Sequence, residues 1–218
     1  MKSSAYESQS RSYAIGNLKF VKETIEESIA VKRAMASQQA SVILEISRIL
    51  TQVLLGAGTI YLCGNGGSAA DAQHVAAEFV GRFARERRAL PAVALTTNTS
   101  ILTAIGNDYG FAEIFARQVQ AMVHNNDAFV GISTSGKSQN ILNALKAARA
   151  IGATTIGFTG ARANEMLAYT DVCLCVPSNK TSRIQEAHIL AWHLICDLVE
   201  QGFLLEEQRR LTLTQNNG

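Results

Sequence analysis

The sequence predicts an α/β protein, a doubly wound five-stranded parallel sheet flanked by helices and preceded by a helical N-terminal segment. Five short apolar runs alternate with segments of helical period. Glycine- or serine-rich turns follow the first and third runs, where the carboxyl edge of such a sheet carries its ligand loops. In chain order, helical patterns run from Leu18 to Ala36 and from Gln39 to Leu55, and Gly56 and Gly58 supply a stop. Thr59–Cys63, Ala92–Leu95, Ala128–Ile132, Thr154–Phe158 and Val172–Val176 are of buried-strand length. Between them, Ser68 to Phe83 is alanine-rich with apolar positions at helical spacing, and Ser138 to Ala150 repeats Ile141, Leu142, Leu145 and Ala148. A final helix is predicted from Arg183 to Leu204, with a polar tail beyond Glu206 that frays. This alternation implies a parallel sheet covered on both faces.

Residues 1–218 read as one domain, with a helical segment over 1–57, an α/β core over 58–204 and a polar tail over 205–218. With 218 residues, 47% of them apolar, the chain is long enough to bury a substantial core. A formal charge of +2 from nearly balanced acids and bases argues against a sequence-independent grip on nucleic acid, and leaves small anions as ligands. Cys63, Cys173, Cys175 and Cys196 lie in or beside apolar runs without a C-x-x-C pair, which predicts reduced core thiols rather than a structural zinc site. The polar start through Ser12 has no signal-type apolar stretch, and no run of about 20 apolar residues follows. A cytoplasmic protein without membrane contact is therefore expected.

Four stretches could carry chemistry. In Cys63-Gly64-Asn65-Gly66-Gly67-Ser68-Ala69-Ala70-Asp71 a strand ends in a glycine turn that brings bare backbone close to a ligand, and Ser68 and Asp71 have capping-box spacing. Neither the P-loop nor the G-x-G-x-x-G pattern is present, so nucleotide binding is not supported. Ser133-Thr134-Ser135-Gly136-Lys137-Ser138 gathers four hydroxyl side chains at a strand-to-helix turn. Hydroxyls, free N–H groups and the helix dipole all favour an anion there, so this loop is predicted to cradle phosphate.

His74 and Glu78, four residues apart, share one helix face, a geometry open to a shared metal, a proton-transfer pair or a surface contact. On the last helix, Gln185, His188 and His193 interrupt apolar sequence and each needs a partner if buried. Gln185 and His193 are eight positions apart, about 12 Å of rise, so one ion joins them only if both side chains reach toward it.

Together, CGNGGSAADAQHVAAEFVGRF, LTAIGNDYGF, GISTSGKS and RIQEAHILAWH, in this order between Ser41 and Glu200, resemble the sugar isomerase (SIS) domain of bacterial phosphoheptose isomerases, a flavodoxin-like fold. The resemblance implies conversion of sedoheptulose 7-phosphate to D-glycero-D-manno-heptose 7-phosphate through an enediol. It implies that Asn65, Gly66, Gly67 and Ser68 with Asn107 and Asp108 contact the sugar, that Ser133, Thr134, Ser135 and Ser138 hold its phosphate, and that Glu78 and Gln185 also touch substrate. It further implies a zinc ion on His74, Glu78, Gln185 and His193, with Glu78 as base and His193 as acid. A homotetramer, and a place among the heptose precursors of lipopolysaccharide, belong to the same implication.

The chain departs from that pattern at Lys137 and Gln139, where relatives often carry Asn and Pro, in Thr159–Met166, which lacks a Gly-Gly pair, and at Asn98, where many have Asp. A non-catalytic relative that binds the bacterial replication initiator is the rival reading, expected to lack the counterparts of Glu78 and His193, both present here. An isomerase of another sugar phosphate is the second. The apolar surface of the terminal helices predicts self-association. The distance between Gln185 and His193 suggests that groups from two chains build each site near a subunit boundary.

Overall fold

The computed structural model describes residues 17–162 and 164–215. The polar start through Ser12, the last residues of the tail and Ala163 of the Thr159–Met166 stretch lie outside the described residues. The first element is a single helix, α1 (Leu18–Leu55), where the sequence predicts two. No glycine or proline interrupts it, and Ser37 in the polar gap donates its hydroxyl to Ala34 O at 2.9 Å, so the gap is absorbed within the helix. Asn17 caps its start by accepting from Phe20 N, and it stops at Gly56 as predicted.

The five predicted strands are β1 (Ile60–Gly64), β2 (Ala92–Ala94), β3 (Ala128–Ile132), β4 (Thr154–Thr159) and β5 (Val172–Cys175). All pairs are parallel and the order is β2-β1-β3-β4-β5. The remaining helices are α2 (Gly67–Val80), α3 (Thr99–Asp108), α4 (Ala116–Met122), α5 (Gln139–Ile151), α6 (Asn164–Leu167) and α7 (Thr181–Gln215). Helix α7 passes through the stretch beyond Glu206 where fraying is predicted. That extension is tied by ion pairs, Arg209 with Glu206 at 2.7 Å and Arg88 with Glu207 at 3.1 Å, and by Arg88 lying over the Phe203 ring.

Side-chain alternation along the strands builds a core on each face of the sheet. Leu62, Val130, Ile132, Ile156 and Leu174 face α1, α2 and α7, meeting Leu50, Phe79, Trp192 and Phe203. Cys63 and Phe129 face the other way, against Val119 of α4 and Ile141 and Leu145 of α5. All four cysteines are free thiols, with Cys63 and Cys196 buried and Cys173 and Cys175 half-buried on edge strand β5.

His188 is a core histidine as the sequence allowed, but only half satisfied, since its Nδ1 is buried with no hydrogen-bond partner among the described residues. It is fully buried on α7, with Nε2 at 3.2 Å from Thr159 O and its ring edge against Phe158. Burial pushes its pKa down from 6.5 to about 4, against a smaller opposite effect of the Thr159 carbonyl. The folded state thus keeps His188 neutral where the unfolded chain takes up a proton. This contribution is complete above pH 6.5 and is lost as pH falls toward 4, about 3 kcal/mol in all. Urea unfolding at pH 7 and pH 4.5 is expected to give a loss smaller by about 2–3 kcal/mol in His188→Gln than in wild type. An equal loss in both proteins removes His188 as the titrating group.

Candidate active site

Strand order reverses between β1 and β3, so the connections leaving these neighbours diverge and open a crevice at their carboxyl ends. The glycine turn follows β1 and the serine loop follows β3. A reciprocal amide pair bridges the two: Asn65 Nδ2 donates to Asn140 Oδ1 and Asn140 Nδ2 to Asn65 Oδ1, both at 2.9 Å. Asn140, buried in the first turn of α5, was not singled out in the sequence, and only its position just after the serine loop hints at it. Asn65 therefore spends its side chain on the second loop.

Gly66 has φ +55°, a backbone state that side chains strain to adopt, and it caps α2 without a side-chain bond. The predicted capping box between Ser68 and Asp71 is not formed. The helix starts earlier, at Gly67, which leaves Ser68 buried in the first turn and one Asp71 carboxylate oxygen buried without a partner. Burial pushes the Asp71 carboxyl up, and His74 one turn on opposes it.

Helix α2 runs beside α7 in the same direction. A Cβ on Gly67 would stand 2.5 Å from Gln185 Nε2, so a larger residue there would require the Gln185 side chain to move away from the start of α2. Further along, His74 Nε2 lies 3.2 Å from His193 Nε2 and 3.3 Å from Glu78 Oε1. Thus the acid His193 and base Glu78 implied by the resemblance both meet His74, one of its implied zinc ligands, within one chain. One Nε2 carries at most one proton, so these heteroatoms meet with fewer protons than contacts, an arrangement suited to proton transfer or to a cation.

Zinc bonds of about 2.0–2.1 Å at tetrahedral angles place donor atoms about 3.3–3.4 Å apart, near both separations. His74, His193 and Glu78 fit a zinc ion pairwise. Among the described residues no three His, Cys, Asp or Glu groups close into a ligand set, and Gln185 lies two turns earlier on α7, against Gly67. His74 is 47% exposed on its side chain and Glu78 22%, so the cluster opens outward.

The serine loop is shaped for an anion. Ser138 stands at the N-cap of α5 without making a side-chain cap bond; its hydroxyl meets Ser133 Oγ at 3.0 Å instead. Uncapped N–H groups of a first helical turn remain available to a ligand. Ser135 Oγ accepts from Lys137 N at 3.2 Å. Thr134, Ser135 and Lys137 line a cavity of about 250 Å³ with Arg162, Ser178 and Thr181.

The glycine turn opens onto a second cavity of about 510 Å³, walled by Thr96, Leu102, Phe111 and Phe115. Neither cavity is lined by Glu78 or His193, so one chain does not by itself place serine loop and acid–base cluster around either hollow. Asn107 and Asp108 are exposed at the end of α3 and hydrogen-bond each other at 2.8 Å. Asn98 caps α3 by accepting from Ile101 N at 3.0 Å, a task that Asp performs equally well, so nothing in the structure explains this departure from the family pattern.

The pattern of the SIS domain family matches residues 23–160. The phosphoheptose isomerase of Roseiflexus sp. is 53% identical over 189 residues, covering 87% of this chain and 95% of that protein. The chain belongs to the phosphoheptose isomerases of the SIS-domain family. A second member, from Aquifex aeolicus, is 50% identical over 84% of this chain and 96% of its own length. The solved structure of the phosphoheptose isomerase from Francisella tularensis covers 86% of this chain and all of its own, at TM-score 0.83 and 35% identity. That from Neisseria gonorrhoeae gives 0.79 and 44%, over 84% of this chain and 98% of its own. Family membership thus rests on nearly the full length of these phosphoheptose isomerases, and the five-stranded parallel sheet with its long N-terminal helix agrees with it.

Proposed function

We propose that the protein is an aldose–ketose isomerase that interconverts sedoheptulose 7-phosphate and D-glycero-D-manno-heptose 7-phosphate. The observation that carries this is the convergence of Glu78 and His193 on His74 between α2 and α7. Glu78 removes the proton from C1 of the ketose while His193 delivers a proton to the C2 carbonyl oxygen, giving the enediol. Loss of the O1 proton and return of a proton to C2 then complete the aldose, so no external oxidant or reductant is needed. Hydroxyls of Ser133, Thr134, Ser135 and Ser138 anchor the distal phosphate, converting a chance encounter into a fixed approach of C1 to Glu78.

Zinc held by His74, Glu78 and His193, with Gln185 recruited from its place against Gly67, supplies Lewis-acid polarisation of the substrate oxygens when bound. A homotetramer in the cytoplasm accompanies this reading, and it supports a role in making heptose precursors of lipopolysaccharide. Leu18, Phe20, Val21 and Ile25 on α1 are exposed, and Val80 and Leu194, each within two residues of the acid–base cluster, are 50% and 44% exposed. Apolar surface beside an outward-opening cluster supports a second copy closing the site. The presence of Glu78 and His193 disfavours the replication-initiator-binding reading.

Purified protein is expected to isomerise sedoheptulose 7-phosphate in preference to hexose or amino-sugar phosphates, with zinc in the same preparation and activity lost on chelation. Turnover confined to another sugar phosphate overturns the substrate assignment, and full activity after complete metal removal overturns the zinc assignment.

A further inference from the structure

Arg87 and Glu200 form an ion pair at 3.1 Å with both side chains fully buried, outside the acid–base cluster. A buried ion pair is a weak source of stability, because desolvation offsets its attraction, so its geometry deserves a functional explanation. Arg87 is spread over the end of α2. Its Nη2 donates to Glu78 O at 2.8 Å, and its Nη1 to Phe79 O at 2.8 Å and Gly81 O at 3.1 Å. The last carbonyls of a helix lack intrahelical partners and carry partial negative charge, so a guanidinium there is a side-chain cap that touches the backbone of Glu78 itself.

Glu200 completes the device from α7. Its carboxylate accepts from Phe83 N at 2.7 Å and from Ala84 N and Arg85 N, both at 2.9 Å, winding the chain after α2 around itself. Burial raises its pKa, but these donors and Arg87 outweigh that and hold it below the ordinary glutamate value. Glu200 lies seven residues, about two turns, after His193 on the same helix. Phe83, tied to Glu200 through its N–H, sets its ring 5.5 Å from the His193 ring.

We infer that Arg87 and Glu200 are positioning residues, which fix the distance and rotational phase between Glu78 on α2 and His193 on α7; the inference rests on the acid–base reading above. A lysine at 87 keeps the charge opposite Glu200 but cannot span the carbonyls of Glu78, Phe79 and Gly81 together. In Arg87→Lys, kcat is expected to fall about 10- to 100-fold, as a shift of about 1 Å between acid and base costs. KM for sedoheptulose 7-phosphate and the affinity for inorganic phosphate stay within about twofold, because the serine loop is untouched. Deuterium wash-in at the substrate carbon in D2O, followed by NMR, slows in step with kcat.

All measurements are made where circular dichroism shows the variant folded. If Arg87→Lys does not fold, the double variant Arg87→Met/Glu200→Met, which leaves no uncompensated buried charge, is judged by the same criteria. A folded variant with kcat within about twofold of an active wild type, or with only KM raised, overturns the positioning role. A wild-type protein that neither isomerises nor exchanges the proton overturns the acid–base reading instead.

Discussion

Glu78→Gln is expected to lower kcat by about 10³- to 10⁴-fold while KM changes little, since the amide keeps the shape of the side chain and loses its capacity to take a proton. The substitution leaves the helix in place but also takes a carboxylate from the proposed zinc ligands, so metal content is measured in the same preparation. Glu78 Oε1 contacts His74 Nε2 at 3.3 Å, whereas the hold of Arg87 on residue 78 is through the backbone carbonyl and survives the change. The fold around α2 should therefore persist, and the measurement is a steady-state assay with sedoheptulose 7-phosphate, paired with a substrate-binding titration. Wild-type kcat in the purified variant removes Glu78 as the base. A rise in KM with kcat preserved would mean that Glu78 binds the sugar rather than moving its proton.

What could be read beforehand followed from how local each cause is. Ala128–Ile132 is a continuous apolar run, and β3 occupies those residues because a central parallel strand is buried on both faces. The glycine turn and serine loop were legible because each carries its own backbone chemistry in a few consecutive residues. The continuity of α1 is not legible, because polar residues that suggest a break are tolerated once Ser37 bonds back to Ala34. The start of α2 differs from the capping-box expectation because glycine, rather than the Ser68 side chain, begins that helix.

The long-range partners were hidden for a different reason. Asn65 and Asn140 are 75 residues apart and Phe83 and Glu200 are 117 apart, so no periodicity in the intervening chain joins them. In hindsight Glu200 carries a faint signal, a carboxylate set among Leu198, Val199 and Phe203 on a helix whose apolar face is buried. Such a group needs donors, but the sequence does not say that they are the backbone of Phe83, Ala84 and Arg85.

Ser135→Ala/Ser138→Ala is expected to raise KM by at least about 10²-fold with a much smaller change in kcat. Each hydroxyl donating to a charged phosphate contributes about 1.5–3 kcal/mol, and the phosphate lies far from the bonds that change, so ground and transition states lose the contact alike. No helix cap is lost, because Ser135 is exposed and Ser138 makes no cap bond that the alanine would remove. Both side-chain contacts of the buried Ser133 hydroxyl are lost, at a cost to stability of about 1–3 kcal/mol, so the variant is assayed where circular dichroism shows it folded. Lys137, whose N–H meets Ser135 and which lines the same cavity, separates hydroxyl from charge effects. If Lys137 contributes Coulombic attraction, Lys137→Ala weakens binding most at low ionic strength, while the loss in the double serine variant persists at high salt. A double variant whose KM stays within about twofold of wild type moves the phosphate away from this loop, and with it the orientation that brings the reacting carbons to Glu78.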